Sequence, residues 1–420
     1  MLYALTIPNE LGIYIPLGIL GLIRWLAWLF KRVPATFYKP YTSDFRADLT
    51  VISPVYQEDT EILTAAINSW LANRAVQEVI CVVDYTDTNS IEVVQGFTAR
   101  GDKVRLIVTE VPGKRDALRR GWETASTDIV ALVDSDTIWS SDVAELVVQP
   151  FADPDIAGVG TRQNVLNATT LWERLNDFYL DYRYFDEAAA QTVMGRAVSC
   201  LSGRTAVYRR RVLLQISDQF MNERWMGVTC NSGEDKRLTS LVLERGYHTY
   251  LQRSARVWST FPKRGTTFFK QRLRWSRNTW RSDLRAMMRG WVWRHPFLSF
   301  TMLDKAVSSF TLLVSPIFLG IALVNGHWTV AAALVLWWFV SRGAKHLPHL
   351  ERRKRDILLI PLFILVSFAM AVVKIYALLT MRRQRWLTRD VAVIDGELQR
   401  TFAGAGKVAT PAVAKQQAGS

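Results

Sequence analysis

Cysteine is scarce in this chain: three residues in 420, Cys81, Cys200 and Cys230, lie far apart with no CxxC pair. That excludes a disulfide scaffold, and with five histidines it leaves no spacing for a zinc cluster. Acidic charge is also in the minority, 38 Asp and Glu against 52 Lys and Arg, a formal net charge of +14. Charged residues reach only 21% while hydrophobic ones reach 49%, which excludes a disordered or collagen-like chain. An excess of basic charge suits nucleic acid, an anionic membrane surface or a phosphorylated substrate. The placement of the apolar residues decides between them.

Residues 11–30 form a 20-residue apolar run with Arg24 near its end. At ~1.5 Å per residue such a helix covers ~30 Å, the hydrocarbon thickness of a bilayer. No basic segment precedes it and no small-residue cleavage site follows, so it reads as an anchor. A buried core helix is the alternative. Lys31, Arg32 and Lys39 follow the run and Glu10 precedes it, so the positive-inside bias places the next stretch in the cytosol. From Ala306 to Ser341, 36 residues lack Lys, Arg, Asp and Glu, with a break at Asn325-Gly326 that predicts two spans and a tight turn. A further run extends from Ile357 to Val373. Basic clusters on both of its sides (Arg342 to Arg355, and Arg382, Arg383, Arg385, Arg389) ask for the cytosol, which one crossing does not allow. Either this last segment re-enters or the number of spans differs.

The stretch between the anchor and the later spans alternates strand and helix. Leu49 to Ser53, Val79 to Val83, Val104 to Val108 and Ile129 to Val133 are short apolar runs of strand type. Thr60 to Leu71 places Ile62, Leu63, Ala66, Ile67 and Trp70 at helical spacing, and Lys114 to Thr124 opens another helix. The alternation predicts an α/β fold with a doubly wound parallel sheet, whose ligands sit at the carboxyl ends of the strands. Asp84 and the tripeptide Asp134-Ser135-Asp136 fall at such ends. In an extended segment residues two apart face the same side. Asp134 and Asp136 can then share one hard cation, Mg²⁺ or Mn²⁺, completed by substrate phosphates. A solvated turn is the alternative for so short a motif.

Seven pieces in order, VISPVYQED, VVD, GKRDAL, DSD, SGxxxxYR, GED and QRLRW, resemble the processive family-2 inverting glycosyltransferases, the group of hyaluronan, chitin and cellulose synthases. The likeness is greatest to hyaluronan synthases and rhizobial chitooligosaccharide synthases, and runs from residue 50 to 389. It implies a cytosolic GT-A-like domain inserted between an N-terminal transmembrane anchor and a C-terminal transmembrane bundle with interfacial helices. The expected divisions are 1–45 anchor, 46–262 transferase domain, 263–300 interfacial region, 301–381 membrane region, and 382–420 a basic segment with a disordered tail.

Position by position, the resemblance implies that Pro54, Tyr56 and Glu58 belong to the uridine pocket and that Asp84 accepts from the uracil N–H. Tyr85 stands where the family has a second Asp, and Asp87 is either its substitute or a turn aspartate. Lys114 and Arg115 of GKR are expected on the nucleotide; basic residues at a helix start oppose its dipole, so a local anion explains them. Ser202 and Gly203 resemble the acceptor loop, with Arg204 in place of the usual proline and Cys200 as an inert thiol beside it. Asp235 in GED is the expected catalytic base, taking the acceptor hydroxyl's proton, with Glu234 its neighbour. Gln271, Arg274 and Trp275 form QxxRW; positions i, i+3 and i+4 share one helix face. Arg274 is expected to stabilise the leaving diphosphate and Trp275 to offer its ring to the acceptor sugar. Trp386 and Arg389 resemble the family's C-terminal segment near the nucleotide.

Residues 263–294 carry ten Lys and Arg against Asp283 alone, with interleaved tryptophans, the pattern of an interfacial helix on anionic lipid. Leu171 to Ala190 is a second candidate of that kind. The implied partners are a UDP-sugar donor, a growing polysaccharide acceptor and the lipid bilayer, and the implied location is the cell membrane, multi-pass. Single transfer to a lipid-linked acceptor is the second enzyme reading. A non-catalytic nucleic-acid or lipid binder is a third, but it would not need DSD, GED and GKR at strand and helix ends; no nucleic-acid partner is expected.

Overall fold

The computed structural model describes residues 9–383 and the hairpin strands Val391–Ile394 and Glu397–Arg400. The first long helix, α1 (Ile15–Thr36), leads into a domain that opens with β1 (Leu49–Val55), α2 (Thr60–Leu71), β2 (Val76–Asp84), α3 (Thr88–Ala99), β3 (Val104–Thr109), α4 (Lys114–Thr124) and β4 (Ile129–Leu132). Local chemistry starts these elements. Asp59 caps α2 by accepting from Glu61 N at 3.0 Å and Ile62 N at 3.1 Å, and the helix then buries Leu63, Ala66, Ile67 and Trp70. Successive residues of β1 point to opposite faces, Val51 into one core and Ile52 into the other. Both faces being covered explains why these strands are apolar throughout.

The chain continues through β5 (Thr137–Trp139), α5 (Val143–Val148), β6 (Ile156–Val165), α6 (Leu171–Tyr182), α7 (Ala188–Gly195), β7 (Ala206–Arg209), α8 (Arg210–Met221), the short pair β8 (Arg224–Trp225) and β9 (Val228–Thr229), α9 (Glu234–Glu244) and β10 (His248–Ser259). The eight-stranded sheet has the order β3-β2-β1-β4-β7-β6-β10-β5. It is mixed, not wholly parallel as expected: β7 runs antiparallel to β4 and β6, and β5 antiparallel to β10. The reason lies in the loop before β7, which crosses the carboxyl end of β4, so that β7 enters the sheet from the ligand edge with Ala206 opposite Leu132.

Beyond the sheet come α10 (Gly265–Met288), α11 (Pro296–Val324), α12 (Trp328–Lys345), the short α13 (Leu347–Arg352) and α14 (Ile360–Leu379). Gly12–Thr36, Pro296–Val324 and Lys354–Leu379 are long and apolar enough to cross a membrane. The helix α1 runs antiparallel to α11: Tyr14 meets His327 in the turn after α11 at 2.9 Å, while Arg24 and Lys31 both reach Asp304 near its start, at 2.5 and 2.7 Å. The turn at Asn325-Gly326 is where the sequence places it, and α12 returns with Arg342 and Lys345 in its last turn.

The last apolar helix has both ends on elements of the sheet domain: Phe363 stacks on Phe178 of α6, and Arg277 Nε of α10 donates to Thr380 Oγ1 at 3.1 Å. The helix α14 lies along α10. The basic residues of 263–294 do not all face outward. Arg277, Arg281 and Arg285 are buried and turn inward, Arg281 to the Met381 and Ser232 carbonyls and Arg285 to Glu223. Likewise α6 buries Leu175, Phe178 and Asp181, and a π-helical turn, Arg183–Glu187, breaks the expected continuous helix.

Candidate active site

Loops at the carboxyl ends of β1, β2 and β4 converge with the start of α4 and α9. Pro54 is half-buried in β1, and the loop after it carries Tyr56 and Glu58. Glu58 accepts from Ser135 Oγ at 2.8 Å, which ties this loop to DSD. Asp84 is buried at the end of β2 and accepts from Thr86 N and Oγ1 at 3.0 and 2.6 Å. Asp87 is a turn aspartate: it caps α3 through Ser90 N and accepts from Gln57 N at 2.6 Å. Tyr85 points outward.

The DSD segment is a turn and not an extended strand end, with Thr137 N donating to the Asp134 carbonyl at 3.1 Å. The carboxylates therefore go to different partners. Asp134 meets Lys114 Nζ at 2.5 Å, and Asp136 accepts from Thr260 N and Oγ1 at 3.2 and 2.5 Å. Their acidities diverge as a result. Burial pushes the Asp134 carboxyl up, but Lys114 and Arg204 outweigh it and hold it low. Burial pushes Asp136 up against the weaker pull of Arg204, so its pKa is raised. Asp134 is near enough to add to that rise, so the two carboxylates offer hard oxygen donors in one place. They fit a divalent cation of the Mg²⁺ or Mn²⁺ type. Another group of potential ligands, Asp177, Asp181 and His349, does not, since Arg352 bonds both aspartates, at 2.5 and 2.7 Å, and Arg353 bonds Asp177.

Lys114 is the centre of the cleft. Its ammonium also meets Glu234 at 3.0 Å, joining α4, DSD and GED. Burial alone would push Glu234 up, but Lys114 and Arg274 overcome it and bring its carboxyl from 4.5 to about 2. Gly203 is packed into the same place: a Cβ there would lie 3.1 Å from Lys114 Nζ and 3.7 Å from both Asp134 Oδ1 and Asp235 Cβ. The absence of a side chain at residue 203 lets the loop before β7 come this close to Lys114. Ser202 beside it is buried. Asp235 lines the cavity with Lys114, Gly203, Glu234 and Tyr208, and Cys200 Sγ lies 3.7 Å from its Oδ2. Burial and that carboxylate push the Cys200 thiol up to about 11, the inert state expected of it.

The helix α10 closes the cleft. Gly233 sits at φ +86° with Asn278 of α10 against it, where a Cβ would be 2.9 Å from Asn278 Cβ. Ser232 Oγ donates to Asn278 Oδ1 at 2.9 Å. On the QxxRW face, Arg274 lies close enough to Glu234 to lower its pKa. Trp275 is flanked by the guanidinium carbons of Arg272, 5.0 Å from its ring centre, and Arg204, at 5.7 Å. Gln271 is half-buried one turn before it.

Arg115 is a correction. It is buried on the far side of α4, donating to the Phe220 carbonyl at 2.6 Å and to Glu223, so it does not stand beside Lys114 at the cleft. Adjacent helix residues are about 100° apart, so one basic side chain faces the ligand edge and the next faces the core. Trp386 and Arg389 lie outside the described residues. Sequence reasoning missed Thr260, Asn278 and Glu223, none of which belongs to a motif.

The profile of the family described as Glycosyltransferase like family 2 matches residues 47–278. A hyaluronan synthase of Streptococcus pyogenes is 25% identical over 393 residues, 90% of this chain and 92% of that protein. A type 2 glycosyltransferase of Gibberella zeae is 26% identical over 382 residues, 86% of this chain and 71% of that protein. Among solved structures, the mannosyltransferase PcManGT from Pyrobaculum calidifontis, in complex with GDP-Man and Mn²⁺, is similar with a TM-score of 0.59 at 20% identity, covering 90% of this chain and 97% of that one. That likeness speaks for the GT-A-like fold. With more than half its length inside the family profile, the chain belongs to glycosyltransferase family 2.

Proposed function

We propose that this enzyme takes a UDP-sugar from the cytosol and adds its hexosyl unit, with inversion, to a growing β-linked glycan. The observation that carries this reading is the single cleft in which Lys114, Asp134, Gly203, Glu234 and Asp235 meet. The acceptor hydroxyl oxygen bonds to the anomeric carbon as the bond from that carbon to the diphosphate oxygen breaks. The hydroxyl proton passes to Asp235 and the electron pair leaves with UDP. Glu234, kept anionic by Lys114, is too weak a base for this and serves to hold the ammonium. Lys114 and Arg274 offset charge on the departing diphosphate. Asp134 and Asp136 would hold Mg²⁺ or Mn²⁺, which neutralises diphosphate charge when bound. Tyr56, Glu58 and Asp84 are assigned to the uridine end, and Trp275 to the acceptor sugar.

Chain extension and outward passage of the product are supported by QxxRW, by helices able to cross a membrane, and by similarity to a hyaluronan synthase, which also favours UDP-GlcNAc as a donor. In the proposed topology the start of α1 and the turn at Asn325-Gly326 lie outside, and the transferase domain and both ends of α14 lie in the cytosol. A second reading, single transfer to a lipid-linked acceptor, is favoured by the small number of helices long and apolar enough to cross, three among the described residues, one of which, α14, returns to the cytosolic side in the proposed topology. The test is UDP release by the purified protein in nanodiscs with Mn²⁺, given UDP-GlcNAc, UDP-GlcA and UDP-Glc singly and in pairs. Release with a long product supports extension; one sugar added to a lipid supports the second reading; no release from any donor with either acceptor contradicts both.

A further inference from the structure

We infer that Glu223, which lies outside every motif and touches no substrate group, is a positioning residue that fixes the three helices of the site in register. It follows α8 and is buried among guanidinium groups. One carboxylate oxygen accepts from Arg115 of α4, the other from Arg285 of α10, and Arg237 Nε of α9 lies 3.8 Å away. Each of those helices carries part of the cleft: α4 has Lys114, α9 has Glu234 and Asp235, and α10 has Gln271, Arg274 and Trp275. Arg115 is the residue after Lys114, so the carboxylate sets the first turn of α4 from behind while Lys114 reaches Asp134 and Glu234 in front. Two more bonds stiffen the hub, Arg115 to the Phe220 carbonyl at 2.6 Å and Arg285 to the Arg224 carbonyl at 2.8 Å.

The charge pattern is specific. One carboxylate faces three guanidinium groups, and without it they would repel one another inside the protein. A local anion is therefore required here, on the side of α4 away from the substrate. Small displacements matter because phosphate-binding and acceptor-binding groups sit on different helices, and misplacement by about 1 Å costs on the order of a hundredfold in rate.

The inference rests on the proposed roles of Lys114 and Trp275, and the test separates the two. UDP binding, donor and acceptor KM, kcat and melting temperature are measured for the full chain in nanodiscs and for Lys114→Met, Glu223→Gln, Glu223→Asp, Arg115→Gln and Arg285→Gln. Lys114→Met should weaken UDP binding about tenfold or more; if it does not, the assignment of Lys114 fails whatever Glu223 does. Given that loss, Arg115→Gln should raise donor KM about tenfold with acceptor KM unchanged, and Arg285→Gln, which loosens the helix bearing both Arg274 and Trp275, should lower kcat and raise acceptor KM. Glu223→Gln should show both defects, and Glu223→Asp, which keeps the charge, should recover part of each. If the arginine variants lower the melting temperature alike and leave the KM values at wild type, or if Glu223→Asp is stable with wild-type kinetics while Glu223→Gln does not fold, Glu223 is only structural and the inference is overturned.

Discussion

Two adjacent carboxylates in the GED turn are given different chemistry by one ammonium group. Lys114 lies 3.0 Å from Glu234 and makes it a strong acid, whereas Asp235 borders the cavity beside Cys200. The consequence for stability has a definite sign. The folded Glu234 carboxyl sits near 2 against 4.5 ordinarily. Its contribution is therefore present above 4.5 and is lost as the pH falls from there toward 2. Glu234→Gln should destabilise the protein by on the order of 2 kcal/mol at neutral pH, and the gap to wild type should narrow in melts taken toward acid pH. A gap that stays constant across that range would show that the ion pair does not set it. The family resemblance pointed to Lys114, Glu234 and Asp235 because they sit in its short motifs GKR and GED. It misplaced Arg115 and passed over Glu223, because which way a residue faces in a first helical turn, and which distant carboxylate it meets, are set by tertiary packing.

At the level of elements, the basic run of α10 shows what composition leaves open. Ten Lys and Arg in 263–294 have the look of a lipid-facing stripe, yet the middle of the helix is covered by α9 and α14 and its guanidinium groups satisfy buried carbonyls and Glu223. The strands and helices from Leu49 to Leu132 were legible because apolar runs of four to seven residues, closed by Asp or Pro, have few other interpretations. The antiparallel β7 was not, since its direction depends on where the preceding loop crosses the sheet. The placement of α14 leads to a labelling prediction. Single cysteines at Gly326, Arg355 and Arg382, in a cysteine-free background, should divide into one position labelled from outside, Gly326, and two labelled only after permeabilisation. Opposite sidedness for 355 and 382 would mean that α14 crosses the bilayer.

The whole molecule joins a cleft lined by Lys114, Glu234 and Asp235 to helices long and apolar enough to cross a membrane. Chelation should remove UDP release, with recovery on adding Mg²⁺ or Mn²⁺, because Asp136 is left short of positive charge. Asp136→Asn should weaken the metal dependence and turnover together, read as the metal concentration needed for half-maximal rate. Turnover indifferent to chelators would remove the cation from the proposed reaction.

The most direct measurement is of Asp235→Asn, by UDP binding and UDP release in parallel. Removal of the proposed base should lower kcat by about 10²–10⁴-fold while UDP affinity stays within about threefold of wild type, since the proposed role of Asp235 is toward the acceptor hydroxyl and not the nucleotide. Turnover near wild type in that variant, with the protein folded and UDP bound, would contradict the assignment of this cleft as the place where the sugar is transferred.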